Sequence, residues 1–98
     1  MVEINWTAEA EQRLKEIYEY IAIDNPNAAK EVINGIYKKV QTLHVHPEIG
    51  YKYQMQNQNN IRILLYGHYR IAYIIYNDKS IDILGIFHGS MNIDTYLI

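Results

Sequence analysis

The sequence predicts an α+β fold: a short N-terminal strand, then an antiparallel helical hairpin packed on a small antiparallel sheet, then a three-stranded C-terminal meander. The order is β-α-α-β-β-β within a single domain, residues 1–98. Three observations carry this. Residues 60–88, NIRILLYGHYRIAYIIYNDKSIDILGIFH, hold three short runs rich in Ile, Leu, Tyr and Phe, divided by Gly67-His68 and by Asn77-Asp78, the punctuation of an antiparallel meander. Two amphipathic runs precede it, hinged at Asp24-Asn25-Pro26. With 98 residues, 49% hydrophobic and 20% charged, the chain fits one compact core and leaves no room for a second.

At the start, Val2 to Asn5 alternates as a strand would and is expected to join the later sheet. Thr7 is placed to cap the first helix, with Glu9 and Glu11 in the first turn, where the helix dipole favours negative charge. Ala10, Leu14, Ile17, Tyr18 and Ile21 then recur at helical spacing, and charged residues occupy the other face. Proline pushes its predecessor out of the α region and itself suits the first helical position, so Asn25-Pro26 ends one helix and begins the next. Ala29, Val32, Ile33, Ile36, Val40 and Leu43 form the apolar side of that second helix, and so short a linker makes the pair antiparallel. Gly35, in mid-helix, costs about 1 kcal/mol relative to alanine, which predicts close approach of a neighbouring element. Pro47 and Gly50 punctuate the chain, Tyr51 to Asn59 reads as a loop whose first part is extended, and the apolar tail Gly89 to Ile98 is expected to dock.

Composition excludes several function classes. The net charge of -2 argues against a protein whose affinity comes from neutralising phosphates. Without cysteine there is neither a disulfide framework nor a thiolate metal site. No secretion signal is visible, and no apolar run approaches the ~20 residues of a membrane span. A soluble, cytoplasmic protein with no membrane association is expected. Ten tyrosines are many for this length, and Tyr51, Tyr53, Tyr66, Tyr69, Tyr73 and Tyr76 fall in or just before the predicted sheet, as befits a half-exposed sheet face. No phosphate loop, dinucleotide fingerprint, zincin motif or nucleophile elbow is present, and His44 and His46 lack the helical spacing that binds zinc. No metal and no cofactor are expected.

The residues left to carry chemistry are Arg62, His68, Arg70, His88 and Tyr96. Attack by a ribose hydroxyl needs one group to take a proton, one to give it and a cation to steady the developing charge. His88 suits the first or second role and an arginine the third. The bland alternatives are an arginine paired with Asp82 or with helix glutamates, a histidine in a turn and a histidine ending a strand. Register decides whether the arginines cooperate. If Gly67-His68 is a two-residue turn, Tyr66 pairs with Tyr69, Arg62 faces Tyr73, and Arg70 lies on the opposite face beside Leu65; a three-residue connection would put both on one face.

Four segments, WTAEAEQRLKEIYEYIAIDNPNAA, LHVHPEIG, IRILLYGHYRIAYII and ILGIFHGS, occur in an order and at a spacing that resemble the RelE/ParE toxin superfamily of bacterial type II toxin–antitoxin modules, nearer the ParE-like branch. The resemblance spans nearly the whole chain. It implies the architecture predicted above, a cognate antitoxin whose tail wraps the toxin, and roles in growth inhibition and plasmid stabilisation. RelE-like members cleave messenger RNA on the ribosome with basic sheet residues and a residue near the C-terminus. By that resemblance Arg62, Arg70, His88 and Tyr96 are the candidate catalytic residues. Against this, Gly89-Ser90-Met91 stands where many relatives carry arginines, and Leu64 is apolar where the nucleases often have a second cation. ParE-like members block DNA gyrase by binding, without catalysis. A degenerate toxin that keeps only antitoxin binding is the third reading.

These readings differ in what the fold should present. An RNase needs an arginine and His88 around one concave patch; a binding toxin needs an exposed hairpin tip and tail; a degenerate member would have its arginines in internal salt bridges. Antitoxin binding requires an exposed apolar groove or an unpaired sheet edge, through which a homodimer could also form.

Overall fold

A computed structural model describes residues 2–54 and 60–97, with the backbone alone at 96 and 97. The first strand, β1 (Ile4–Trp6), leads into α1 (Ala8–Ala22) and α2 (Pro26–Gln41), and a 3-10 turn at Thr42–His44 ends the helical part. The meander is β3 (Ile61–Tyr66), β4 (Tyr69–Ile75) and β5 (Ile81–His88), preceded by a two-residue edge strand β2 (Tyr51–Lys52) and followed by α3 (Ile93–Leu97). The expected extension at the start of the 51–59 segment is therefore observed, while residues 55–59 lie outside the described ones.

The strands form one sheet in the order β1-β5-β4-β3-β2. The meander is antiparallel as expected, but β1 joins β5 in parallel, Ile4 opposite Ile81 and Trp6 opposite Ile83, so the sheet is mixed. Alternation within a strand signals the strand, whereas its direction is set by the helical hairpin, which carries the chain out and back before the sheet resumes.

Thr7 fixes the junction. Its Oγ1 accepts from the Ala10 N–H at 3.1 Å, capping α1, and donates to the Ile83 carbonyl at 2.7 Å, so one side chain starts the helix and ties it to β5. Thr7→Ala is expected to cost about 1–2 kcal/mol in urea unfolding, with Thr7→Ser close to the parent; an unchanged alanine variant would mean the hydroxyl is idle. Asn25 caps α2 in the same way, accepting from the Ala28 N–H at 3.1 Å, with Pro26 at the first helical position. The helices bury Ala10, Leu14, Ile36 and Val40 against Leu64, Ile71, Tyr73, Ile81, Ile83 and Ile86 of the sheet. Gly35 lies against the Tyr66 ring, where a Cβ would collide with the phenol: the close neighbour is the sheet.

A bulge in β5 places the next apolar residues. Tyr73 pairs with Ile83 and Ala72 with Gly85, which leaves Leu84 as the extra residue. Side-chain alternation therefore slips by one, and Ile83 and Ile86, three apart, both face the helices. Phe87 turns to the other face, its ring lying over Gly85 where a Cβ would strike it. There it joins Ile63, Ala72 and Ile93 in a second small core flanked by Tyr53, Leu84 and Met91. The face away from the helices is thus partly covered by the chain's own tail, as an apolar tail predicts.

Candidate functional site

The Gly67-His68 connection is a two-residue turn with Gly67 at φ 55, and Tyr66 pairs with Tyr69. Arg62 consequently stands opposite Tyr73, and Arg70 stands opposite Leu65 on the other face of the sheet. The two arginines do not meet, so no single centre can use both.

Each serves a different loop. Arg62 Nη1 donates to the carbonyls of Gly50 at 2.7 Å and Glu48 at 3.0 Å. Beside it the buried Tyr73 hydroxyl donates to the Pro47 carbonyl at 2.9 Å and accepts from the Gly50 N–H at 2.9 Å, so the two side chains clamp residues 47–50 onto the sheet. Burial pushes the Tyr73 hydroxyl above the ordinary tyrosine pKa, while the Gly50 N–H and the Arg62 charge pull it partly back. A pKa raised on folding gives stability that is complete below the unfolded value, near 10, and is lost as pH rises through the higher folded value. Melting temperature is therefore expected to hold level up to about pH 10 and to fall above it, with Tyr73→Phe flattening that decline. A Phe variant with the parent's alkaline profile would place the effect on another tyrosine.

Arg70 Nη2 donates to the carbonyls of Met91 at 2.6 Å and Gly89 at 3.4 Å, pinning the start of the tail. Its Nε is buried without a hydrogen-bond partner among the described residues. Nearby the Tyr53 hydroxyl donates to the Asp94 carboxylate. That bond raises the Tyr53 pKa, helped by desolvation and the Asp94 charge and opposed by Arg70. Tyr96 falls in α3, and its side chain lies outside the described residues. Arg62 and Arg70 thus bond to backbone carbonyls, and neither forms a salt bridge among the described residues.

His88 belongs to a third place. The bulge turns it to the helix side at the end of β5, where it is exposed and its Nδ1 accepts from the Ser90 N–H at 3.3 Å. Its ring lies edge-on to Tyr69, with centroids 5.7 Å apart, and 6.2 Å from the ring of His68. Here α1 and the sheet part to form a groove of about 380 Å³. One wall is Arg13, Glu16, Ile17 and Tyr20 of α1, and the other is Tyr69, Ile86 and His88 of the sheet, with Met91 at the tail. Arg13 is held by Glu9 at 3.1 Å and Glu16 at 3.8 Å, with its guanidinium carbon 5.7 Å from the centre of the Phe87 ring. Burial raises the Tyr69 pKa, and Tyr20 adds to the shift.

Sequence reasoning missed this groove because it took α1 as having one apolar face. Arg13, Glu16, Ile17 and Tyr20 form a second contiguous face at i, i+3, i+4 and i+7. The available signal was Tyr20, an aromatic residue outside the Leu14–Ile17–Ile21 stripe. At the end of α1, Tyr20 and Ile23 are 78% and 79% exposed, so the hairpin tip presents apolar surface to solvent. No described helix is long and apolar enough to cross a membrane.

Comparison with known proteins places this geometry. No curated protein matches significantly in sequence. Among solved structures, the chromosomal ParDE toxin–antitoxin system from P. aeruginosa is similar with a TM-score of 0.73 at 23% identity, over 90% of this chain and 96% of that one. The toxin–antitoxin complex RelBE2 from Mycobacterium tuberculosis is similar with a TM-score of 0.57 at 20% identity, over 89% and 96%. At these identities the likeness is one of fold. The family described as the ParE toxin of the type II toxin–antitoxin system parDE matches residues 4–93, from the first strand through the bulged last strand to the tail. The chain therefore belongs to the ParE toxin family of type II toxin–antitoxin systems.

Proposed function

We propose that this toxin acts by binding, that its target is DNA gyrase, and that a cognate antitoxin neutralises it through the groove between α1 and the sheet. The observation that carries the reading is the separation of the cations. Arg62 and Arg70 project from opposite faces, each spends N–H donors on backbone carbonyls, and His88 shares its groove with neither. A binding toxin needs no such constellation, only a rigid exposed surface, and the hairpin tip at Ile23 offers one. Membership of the ParE family supports gyrase as the target. For the antitoxin, the support is a groove walled by Ile17, Tyr20, Tyr69, Ile86 and Met91, which suits the apolar face of an amphipathic segment, and the fold shared with chains from two toxin–antitoxin complexes.

One observation favours the alternative, a RelE-like ribosome-dependent endoribonuclease: His88 shares the groove with Arg13 and Glu16, an imidazole beside a cation and a carboxylate. Induced expression without antitoxin, with pulse labelling of DNA and protein synthesis, separates the two. DNA synthesis is expected to fall first, with a damage response, and His88→Ala is expected to leave the block intact. Protein synthesis falling first, restored by His88→Ala in a folded protein, would replace gyrase binding with RNA cleavage. A folded protein with no effect on growth would leave antitoxin binding as its sole activity.

A further inference from the structure

At the end of the sheet remote from the Gly67-His68 turn, a polar recess of about 270 Å³ adjoins an apolar one of about 630 Å³, with Glu48, Ile75 and Lys79 lining both. Lys52 and Arg62 are cross-strand partners in β2 and β3, and Lys79 reaches the same recess from the turn between β4 and β5. Three of the nine lysines and arginines of a chain with net charge -2 therefore gather around one concavity. Its lining, among the described residues, includes one acid, Glu48, with Asp82 beside it accepting from the lining Tyr76 hydroxyl. Arg62 is held there by its bonds to the Glu48 and Gly50 carbonyls, so the guanidinium is oriented before any ligand arrives. On the apolar side Val45 and Ile49 are 74% and 53% exposed beside Ile75, forming a contiguous patch around a concavity rather than scattered single side chains.

We propose that this recess, with Lys52, Arg62 and Lys79 beside Val45, Ile49 and Ile75, docks an acidic segment of a protein partner that carries an apolar anchor. Charge complementarity decides the occupant. Carboxylates match the three cations, and an apolar side chain next to them in the partner covers the Val45–Ile49 patch. A nucleic-acid backbone would satisfy the cations but leave the apolar patch wet. This surface lies at the opposite end of the sheet from the groove at His88, so the proposal stands or falls apart from the antitoxin reading.

Lys79 supplies a variant that cannot be dismissed as misfolded. It sits at φ 75, where a residue with a Cβ is strained and glycine is not. Lys79→Gly should therefore raise the melting temperature while removing one cation. The probe is a short synthetic peptide in which glutamates flank a Leu-Phe pair, titrated into the isotope-labelled full chain and followed by amide shifts. The expected result is movement at Lys52, Arg62, Lys79 and Ile49, with affinity falling as salt rises. The counterpart peptide with glutamines is expected to bind about tenfold more weakly, and Lys79→Gly to weaken the glutamate peptide about threefold. Equal binding of the glutamine peptide, movement confined to Tyr20 and His88, tighter binding of an oligothymidylate at the same residues, or no binding would each overturn the proposal.

Discussion

Truncating Tyr73 to alanine is expected to lower the free energy of unfolding by about 3–5 kcal/mol, a large part of the roughly 5–15 kcal/mol that holds a typical domain together. The ring is wholly buried between the helices and the sheet, in contact with the cluster that includes Leu64, Ile71 and Ile83. Removing it leaves a cavity that close-packed isoleucines cannot collapse into without leaving their own rotamers. Tyr73→Phe separates the hydroxyl from the ring. It keeps the packing but strips the buried Gly50 N–H of its acceptor and the Pro47 carbonyl of its donor, and an unmet buried donor costs about 1–3 kcal/mol. The order parent, Phe, Ala should appear in urea midpoints with little change in slope. A Phe variant as stable as the parent would show that the 47–50 segment does not depend on that hydroxyl. Arg62→Gln releases the same segment from its other clamp, so the double variant should deviate from additivity by at least about 0.5 kcal/mol.

That clamp also marks where sequence reasoning reached its limit. A two-residue turn at Gly67-His68 fixes every pairing between β3 and β4, so the Arg62–Tyr73 and Arg70–Leu65 pairs followed from that one choice of turn. The helical hairpin was equally legible, because its signals are local: Thr7 and Asn25 accept from N–H groups in the first turns of their own helices, and Pro26 fixes the backbone at the first helical position. What lay outside local chemistry was not. Neither guanidinium meets the acids that charge alone suggested, because both reach loop carbonyls brought close by the fold. The Leu84 bulge reverses the facing of Phe87 and His88, and a lone Gly85 within an apolar run was its only sequence trace. The parallel pairing of β1 is likewise a property of chain path, invisible to a three-residue pattern.

Tyr20 and Ile23 separate antitoxin binding from toxicity, although stability does not tell the two residues apart. Tyr20 and Ile23 end α1 at nearly equal exposure, 78% and 79%, yet Tyr20 lines the groove beside Tyr69 and His88 while Ile23 is not among the residues that line it. An aspartate at either site should cost no more than about 1 kcal/mol in unfolding, mainly from its charge at the negative end of the α1 dipole, since little is buried there. Affinity for the cognate antitoxin should respond very differently. An aromatic anchor in an apolar groove is the kind of side chain that carries 2 kcal/mol or more of an interface, so Tyr20→Asp is expected to weaken antitoxin binding at least about thirtyfold by calorimetry. Ile23→Asp, by contrast, should keep the antitoxin and lose part of the block on DNA synthesis if the hairpin tip is what the target meets. In cells the two variants then separate: Tyr20→Asp remains toxic despite the antitoxin, whereas Ile23→Asp is weakly toxic and still neutralised. Tyr20→Asp bound as tightly as the parent would move the antitoxin away from this groove, and full toxicity in Ile23→Asp would move the target away from the tip.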